Sequence, residues 1–239
     1  MNVFMIIIIW FWTTLLQINL CGHATLAAAY TLFSSGLAET DVIEFVTLSG
    51  ILTAKKIPET NNTTSASTLH KGEARDGFYV EVNFPADPVI EFNFDETSQI
   101  SGALNGVSII DIKKTQMGDD LFVVVSSGTA VKELQPQLDA IVKCPGRGII
   151  VSGIAPPDSG FDFYSRFFCP KFGVNEDPVC GGAHCALAPY WSKKLGKCDF
   201  NAYQASARGG VLNVHLDEQN QRVILRGKVV TVMEGCVLV

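Results

Sequence analysis

The chain has 239 residues, of which 47% are hydrophobic and 18% charged, with a formal net charge of −6 and a pI near 5.2. This composition excludes a disordered chain and allows one large domain or two small lobes around a real core. No dense Lys/Arg cluster is present, so neither nucleic acid nor an anionic membrane surface is an expected partner.

At the amino terminus, Val3 to Trp12 (VFMIIIIWFW) is an unbroken apolar run, too short to cross a bilayer as a helix. As a signal-peptide core it lacks a preceding Lys or Arg. The nearest small-residue cleavage pattern, Ala24 to Ala29, would remove the Cys-Gly motif before it. The run therefore reads as a buried β-strand. Secretion is the alternative, and the overlapping sequons at Asn61-Asn62-Thr63-Thr64 are its other support.

Thr25 to Phe33 is small and apolar and stops at Ser34-Ser35-Gly36, which predicts a short buried helix. Val42 to Leu48 and Gly50 to Ile57 predict a strand pair joined by a tight turn, and Glu59 to Gly77 a polar loop. Phe78 to Phe84 (FYVEVNF) alternates as a half-buried strand does. Further on, the pattern predicts a helix at Asp95 to Gly102, strands at Val107 to Lys113 and Leu121 to Ser126, and a helix over Ala130 to Ile141 that Pro136 strains. Strands are expected at Gly148 to Ala155 and Phe161 to Phe168, then a helix at Ala183 to Leu195. Three more strands close the chain: Gly210 to Leu216, Arg222 to Leu225 and Lys228 to Met233.

Two stretches repeat one arrangement. NLCGHATLAAAY (Asn19 to Tyr30) and PVCGGAHCALAPY (Pro178 to Tyr190) each pass from Cys-Gly through small residues to a tyrosine, and each enters a predicted helix. Strands flank one such helix in either half, which is a weak internal duplication on the scale of a lobe. The seven cysteines (Cys21, Cys144, Cys169, Cys180, Cys185, Cys198 and Cys236) are odd in number and irregular in spacing, and contain no C-x-x-C. Free thiols in a reducing, cytoplasmic compartment are expected.

A helix start presents unpaired backbone N–H groups and partial positive charge, a ready seat for a carboxylate. A thiol placed there is expected to have a lowered pKa and to serve as a base, and the glycine after it lets a ligand approach the backbone. Two such helix starts facing each other would hold one carboxylated substrate with acid and base groups on opposite faces of its α-carbon. Each feature also has a plainer explanation. A cysteine among small residues is ordinarily a buried hydrophobe, His23 alone fits a structural histidine, and Glu176-Asp177-Pro178 alone fits a turn. The His184-Cys185 spacing with Cys180 and Cys21 matches no common zinc pattern, and no Gly-rich phosphate loop follows a strand, so no metal and no cofactor are expected.

Together, LCGHATLA (Leu20 to Ala27), FDFYSRFFCPKFGVNEDPVCGGAHCALAPYWSKKLGK (Phe161 to Lys197) and the tail ARGGVLNVHL…VILRGKVVTVMEG resemble the phenazine biosynthesis-like (PhzF-like) family, in its plant-type form, over about residues 10 to 239. The resemblance implies an α+β, diaminopimelate epimerase-like fold: two pseudo-symmetric lobes, each a curved mostly antiparallel sheet around a central helix, with the active site between them. It also implies cofactor-independent isomerase chemistry and, often, a homodimer. A glutamate of the first lobe shuttles the proton in enzymatic members, helped by the histidine of C-G-H and the aspartate of E-D-P. Here His23 and Asp177 match those two, and the backbone of Gly181 and Gly182, like that of Gly22 in the first motif, would bind a carboxylate.

This sequence departs from the family pattern. No counterpart of the glutamate precedes C-G-H, since the first acidic residue is Glu39, so the first lobe is expected to be truncated. Gln17 stands where the family has an acidic residue and Thr14 where it has a proline. Cys180 replaces a threonine and Gly182 a serine. Related epimerases and racemases of this fold use one cysteine per lobe as paired bases, which makes Cys21 and Cys180 candidate proton carriers beside His23 and Asp177. The expected division is 1–90 for an incomplete N-terminal lobe and 91–239 for a C-terminal lobe, with the last strand returning to the first. Expected function is an isomerase acting by proton transfer on a small carboxylated metabolite; the alternative is a catalytically silent binding or interaction protein of the same fold.

Overall fold

The computed structural model describes residues 5–8, 11–12, 17–18, 20–59, 77–92, 97–233 and 235. The sequons at Asn61 and Asn62, Thr14, Cys236, Asp95 and most of the predicted polar loop lie outside them. The first half contains β1 (Met5–Ile8), β2 (Phe11–Trp12), β3 (Gln17–Ile18), α1 (Gly22–Ser34), β4 (Val42–Thr47), β5 (Gly50–Pro58) and β6 (Phe78–Pro85). Next come β7 (Val89–Glu91), α2 (Thr97–Ala103), β8 (Ile109–Thr115), β9 (Leu121–Val125), α3 (Gly128–Glu133) and α4 (Leu138–Ile141). The last part contains β10 (Ile149–Ile154), β11 (Phe163–Cys169), β12 (Val174–Asp177), α5 (Gly181–Leu195), β13 (Asp199–Gln204), β14 (Gly210–Asp217) and β15 (Arg222–Gly227).

Among the described residues, thirteen strands form one sheet in the order β1-β4-β5-β6-β15-β14-β13-β11-β10-β9-β8-β7, with β12 against β11. Pairing is antiparallel except at β1–β4, β9–β10 and β11–β13. The final strand, β15, lies between β6 and β14 and so joins the two halves of the sheet. α1 packs on β5 and β6, and α5 on β14 and β15.

Side-chain alternation explains which face each strand buries. On β6, Phe78, Val80, Val82 and Phe84 point into the core while their neighbours stay half-buried. Ile43 and Phe45 on β4, Leu212, Val214 and Leu216 on β14, and Val223 and Leu225 on β15 do the same. β9 is buried on both faces, and its alternate residues divide between two cores. Phe122 and Val124 join the large core under α1 and α5, whereas Leu121, Val123 and Val125 join a second core with α2, α3 and α4.

Several expectations change. Val3 to Trp12 is not one strand, since its described parts fall in β1 and β2, which belong to different sheets. The helix expected over Ala130 to Ile141 is two short helices, because Pro136 cannot donate the hydrogen bond a continuous helix needs. Lys228 to Met233 is not a strand; the chain leaves the sheet after Gly227, and Val232 and Met233 are exposed. Proline is tolerated inside α5 for a visible reason. Pro189 cannot bond back to the Cys185 carbonyl, and the Asp87 N–H donates to that carbonyl instead at 2.9 Å.

Candidate functional site

The two Cys-Gly helices meet at their N-terminal ends. Cys21 and Cys180 are the N-cap residues of α1 and α5, both in extended conformation. A Cβ placed on Gly22 would lie 3.0 Å from the Gly181 Cα, and one on Gly181 would lie 3.1 Å from the Gly22 Cα. Phe84, fully buried on β6, closes this junction from below, with its ring 3.6 and 3.5 Å from the same two points. Only glycine at both positions lets the two backbones approach so closely. The first turns of the two helices, whose leading N–H groups have no backbone partner within the helix, thus lie side by side.

A cleft of about 450 Å³ opens there. Gly22, His23, Asp177 and Gly181 line it, so the structure brings together one residue pair from each motif. Val82 and Leu225 supply apolar wall. Cys21, Cys180 and Gly182 are not part of the lining. Cys21 is buried behind the first turn, with its Sγ 3.7 Å from Nε2 and 3.8 Å from Nδ1 of the exposed His23 ring. The Cys180 Sγ accepts from the Ala183 N–H at 3.4 Å, and Gly182 lies beside it.

The thiols do not have the lowered pKa expected of a helix start. Burial pushes the Cys21 thiol up; the Ala24 N–H pulls against this and the Asp177 charge adds to it. Burial, then Asp177, also pushes the Cys180 thiol well up, against the Ala183 N–H and the Arg147 guanidinium. Desolvation of the thiolate outweighs the helix-end field at both places. One carboxylate, Asp177, thus lies close enough to raise both thiols.

Asp177 ends β12, where its Oδ1 accepts from the Val179 N–H at 3.0 Å. Its neighbour Glu176 is held elsewhere, in a bidentate pair with the buried Arg166 at 2.7 and 3.0 Å. Gln204, fully buried at the end of β13, spans the bend between Asp177 and the helix. Its Nε2 donates to the Asp177 carbonyl at 2.6 Å, and its Oε1 accepts from the Cys180 N–H at 2.8 Å. Sequence reasoning missed Gln204, although a glutamine on the inward phase of an alternating strand (DFNAYQ) is a signal that it satisfies buried backbone.

His184 holds the same N-cap from the helix side. Its Nδ1–H donates to the Cys180 carbonyl at 2.7 Å, and burial lowers its pKa from 6.5 to about 4. The unfolded chain therefore binds a proton between about pH 6.5 and 4 that the folded chain refuses, so stability falls as pH drops through that window. The difference amounts to at most roughly 3 kcal/mol. Urea titrations from pH 7 to pH 4 should show this loss in the native protein and a flatter profile in His184→Gln. NMR should show the His184 ring protons titrating near pH 4; a normal titration near 6.5 would contradict the assignment. Among the described residues no group of three or more His, Cys, Asp or Glu side chains is arranged to hold a metal ion.

The family model for phenazine biosynthesis-like proteins (PhzC-PhzF) matches residues 7–235. The chain belongs to the phenazine biosynthesis-like family. An uncharacterized isomerase of Halalkalibacterium halodurans is 38% identical over 227 residues, covering 95% of this chain and 76% of the relative. The human phenazine biosynthesis-like domain-containing protein is 34% identical over 238 residues, covering 95% and 75%. Among solved structures, a putative PhzC/PhzF protein of Clostridium difficile superposes with a TM-score of 0.74 at 32% identity, covering 97% of this chain and 78% of that one. A PhzF-family protein of Enterococcus faecalis gives 0.72 at 33% identity, covering 92% and 74%. The sheet and its two helices thus have the diaminopimelate epimerase-like fold of this family. No helix among the described residues is long and apolar enough to cross a membrane.

Proposed function

We propose that this protein is an isomerase that moves a proton on a small carboxylated substrate held in the cleft, without a cofactor. The observation that carries the proposal is the convergence of two helix N-termini, glycine against glycine, beside Asp177 and His23. The isomerase names of bacterial relatives at 34–38% identity support the reaction class.

The N–H groups around Gly22 and Gly181 hold the substrate carboxylate and stabilise the negative charge that grows on it when the neighbouring C–H bond breaks. Asp177 or His23 takes that proton. The electron pair spreads into the carboxylate, and the other group returns a proton to the opposite face or to a conjugated carbon. Cys21, behind the His23 ring and outside the cleft lining, does not act directly on substrate. A panel of small carboxylic acids in D₂O, followed by ¹H NMR, tests the reading: deuterium should enter at one carbon of an accepted substrate.

The cysteines give a sharp secondary test. Because neither thiol lines the cleft, Cys21→Ser and Cys180→Ser should each keep at least about a tenth of the exchange rate. A loss near 10³-fold, the scale of a lost acid–base group, would return proton transfer to the thiols.

A further inference from the structure

We propose that Arg208 binds a second anionic group of the substrate, so that the cleft selects dianionic acids, such as α,ω-dicarboxylates, over monocarboxylates. The proposal rests on the carboxylate seat argued above. Three cations line the cleft: Arg208, Arg226 and Lys228. Arg226 is committed to Glu81 at 2.7 Å and Lys228 to Glu59 at 2.6 Å. Arg208 is exposed and has no hydrogen-bond or ion-pair partner among the described residues. A guanidinium presented to a cleft without a carboxylate of its own is suited to a bidentate carboxylate from a ligand.

Its loop is a built part of the site. The Ser206 hydroxyl donates to the Pro178 carbonyl at 2.7 Å and accepts from the Gly209 N–H at 3.0 Å. Gly209 has φ +71°, and a Cβ on Gly210 would lie 2.3 Å from the Val179 side chain, so neither of the two positions after Arg208 takes another residue without displacement. With Gln204 bonded to both Asp177 and Cys180, the strand that leads to Arg208 is fastened to the segment carrying the candidate proton carrier. Depth separates the two anion seats. Gly181 is buried on Phe84, Arg208 is exposed, and the apolar Val82, Leu212 and Leu225 line the same cleft. A ligand with charge at both ends and an apolar middle matches that combination of burial, apolar wall and exposed cation.

The test is an NMR titration of the ¹⁵N-labelled full chain at constant ionic strength. Dicarboxylates of four to six carbons (succinate, glutarate, adipate) are compared with monocarboxylates of equal length (butyrate, pentanoate, hexanoate). Every binder should shift the Gly22 and Gly181 amides. The best dicarboxylate should bind roughly tenfold more tightly than its monocarboxylate partner, the scale of one charge-assisted contact at a wet rim. Arg208→Gln should erase this preference, weakening dicarboxylates about tenfold more than monocarboxylates, and Arg208→Lys should keep part of it. Equal binding of both series by the native protein, or a preference that survives Arg208→Gln, overturns the Arg208 assignment alone. Absence of shifts at Gly22 and Gly181 with every acid overturns the carboxylate seat, and the assignment with it.

Discussion

Asp177→Asn should reduce proton exchange on an accepted substrate by on the order of 10³-fold while leaving the fold intact. The structural half of this expectation follows from the contacts. Asparagine keeps an oxygen that accepts from the Val179 N–H, and the Gln204 bond goes to the Asp177 backbone carbonyl, which the substitution does not touch. The chemical half follows because an amide cannot take a proton at neutral pH. A second readout separates a proton carrier from a structural residue. The Asp177 charge raises both the Cys21 and Cys180 thiols, so its removal should lower both, visible as iodoacetamide alkylation that begins at lower pH than in the native protein. Loss of exchange with unchanged thiol titration would mean that Asp177 is not where the structure places it. Retained exchange would assign the proton to another group.

How much of this was legible beforehand depends on the range of the interaction. Both helix starts were readable because Cys-Gly followed by small residues is a local pattern, and the N-caps fall on Cys21 and Cys180. The alternation in Phe78 to Phe84 was readable because one face of that strand packs on helices. By contrast, Val174–Asp177 is too short to show a period, and Lys228 to Met233 shows one without lying in the sheet. Secondary structure tracks local pattern only where tertiary contacts support it.

The candidate site divides in the same way. His23, Asp177, Gly22 and Gly181 were named from the motifs, and all four line the cleft. Gln204 and Ser206 were not named, because they reach the site from 24 or more residues away, through contacts that no short motif encodes, and Arg208, although inside the quoted tail, was given no role there. Phe84 is further still, and only the three-dimensional junction shows that it supports both glycines. The thiol expectation failed for a physical reason. A helix end favours a thiolate by up to about 2 kcal/mol, and burial of a charge costs more than that.

Gly22→Val should be the most damaging single change at the junction. The first added carbon alone would lie 3.0 Å from the Gly181 Cα, which is backbone and cannot turn aside as a side-chain tip does. The two helix starts must separate, and valine's methyl groups widen the gap further. Forced separation of packed backbone costs about 1–3 kcal/mol of stability. It also moves two sets of N–H groups that act together, and a displacement near 1 Å is worth about 10²-fold in rate. Gly22→Ala should show a smaller loss of the same kind. Gly102, in α2, is the control because nothing lies within 4 Å of its Cβ position. Gly102→Ala should therefore stabilise the protein by about 0.5–1 kcal/mol, the ordinary gain of replacing a helical glycine. Opposite signs for Gly22→Ala and Gly102→Ala in urea unfolding would isolate the helix–helix contact from helix propensity. Stabilisation by both substitutions would mean that the two N-termini do not meet in solution, and the shared carboxylate seat would be lost with them.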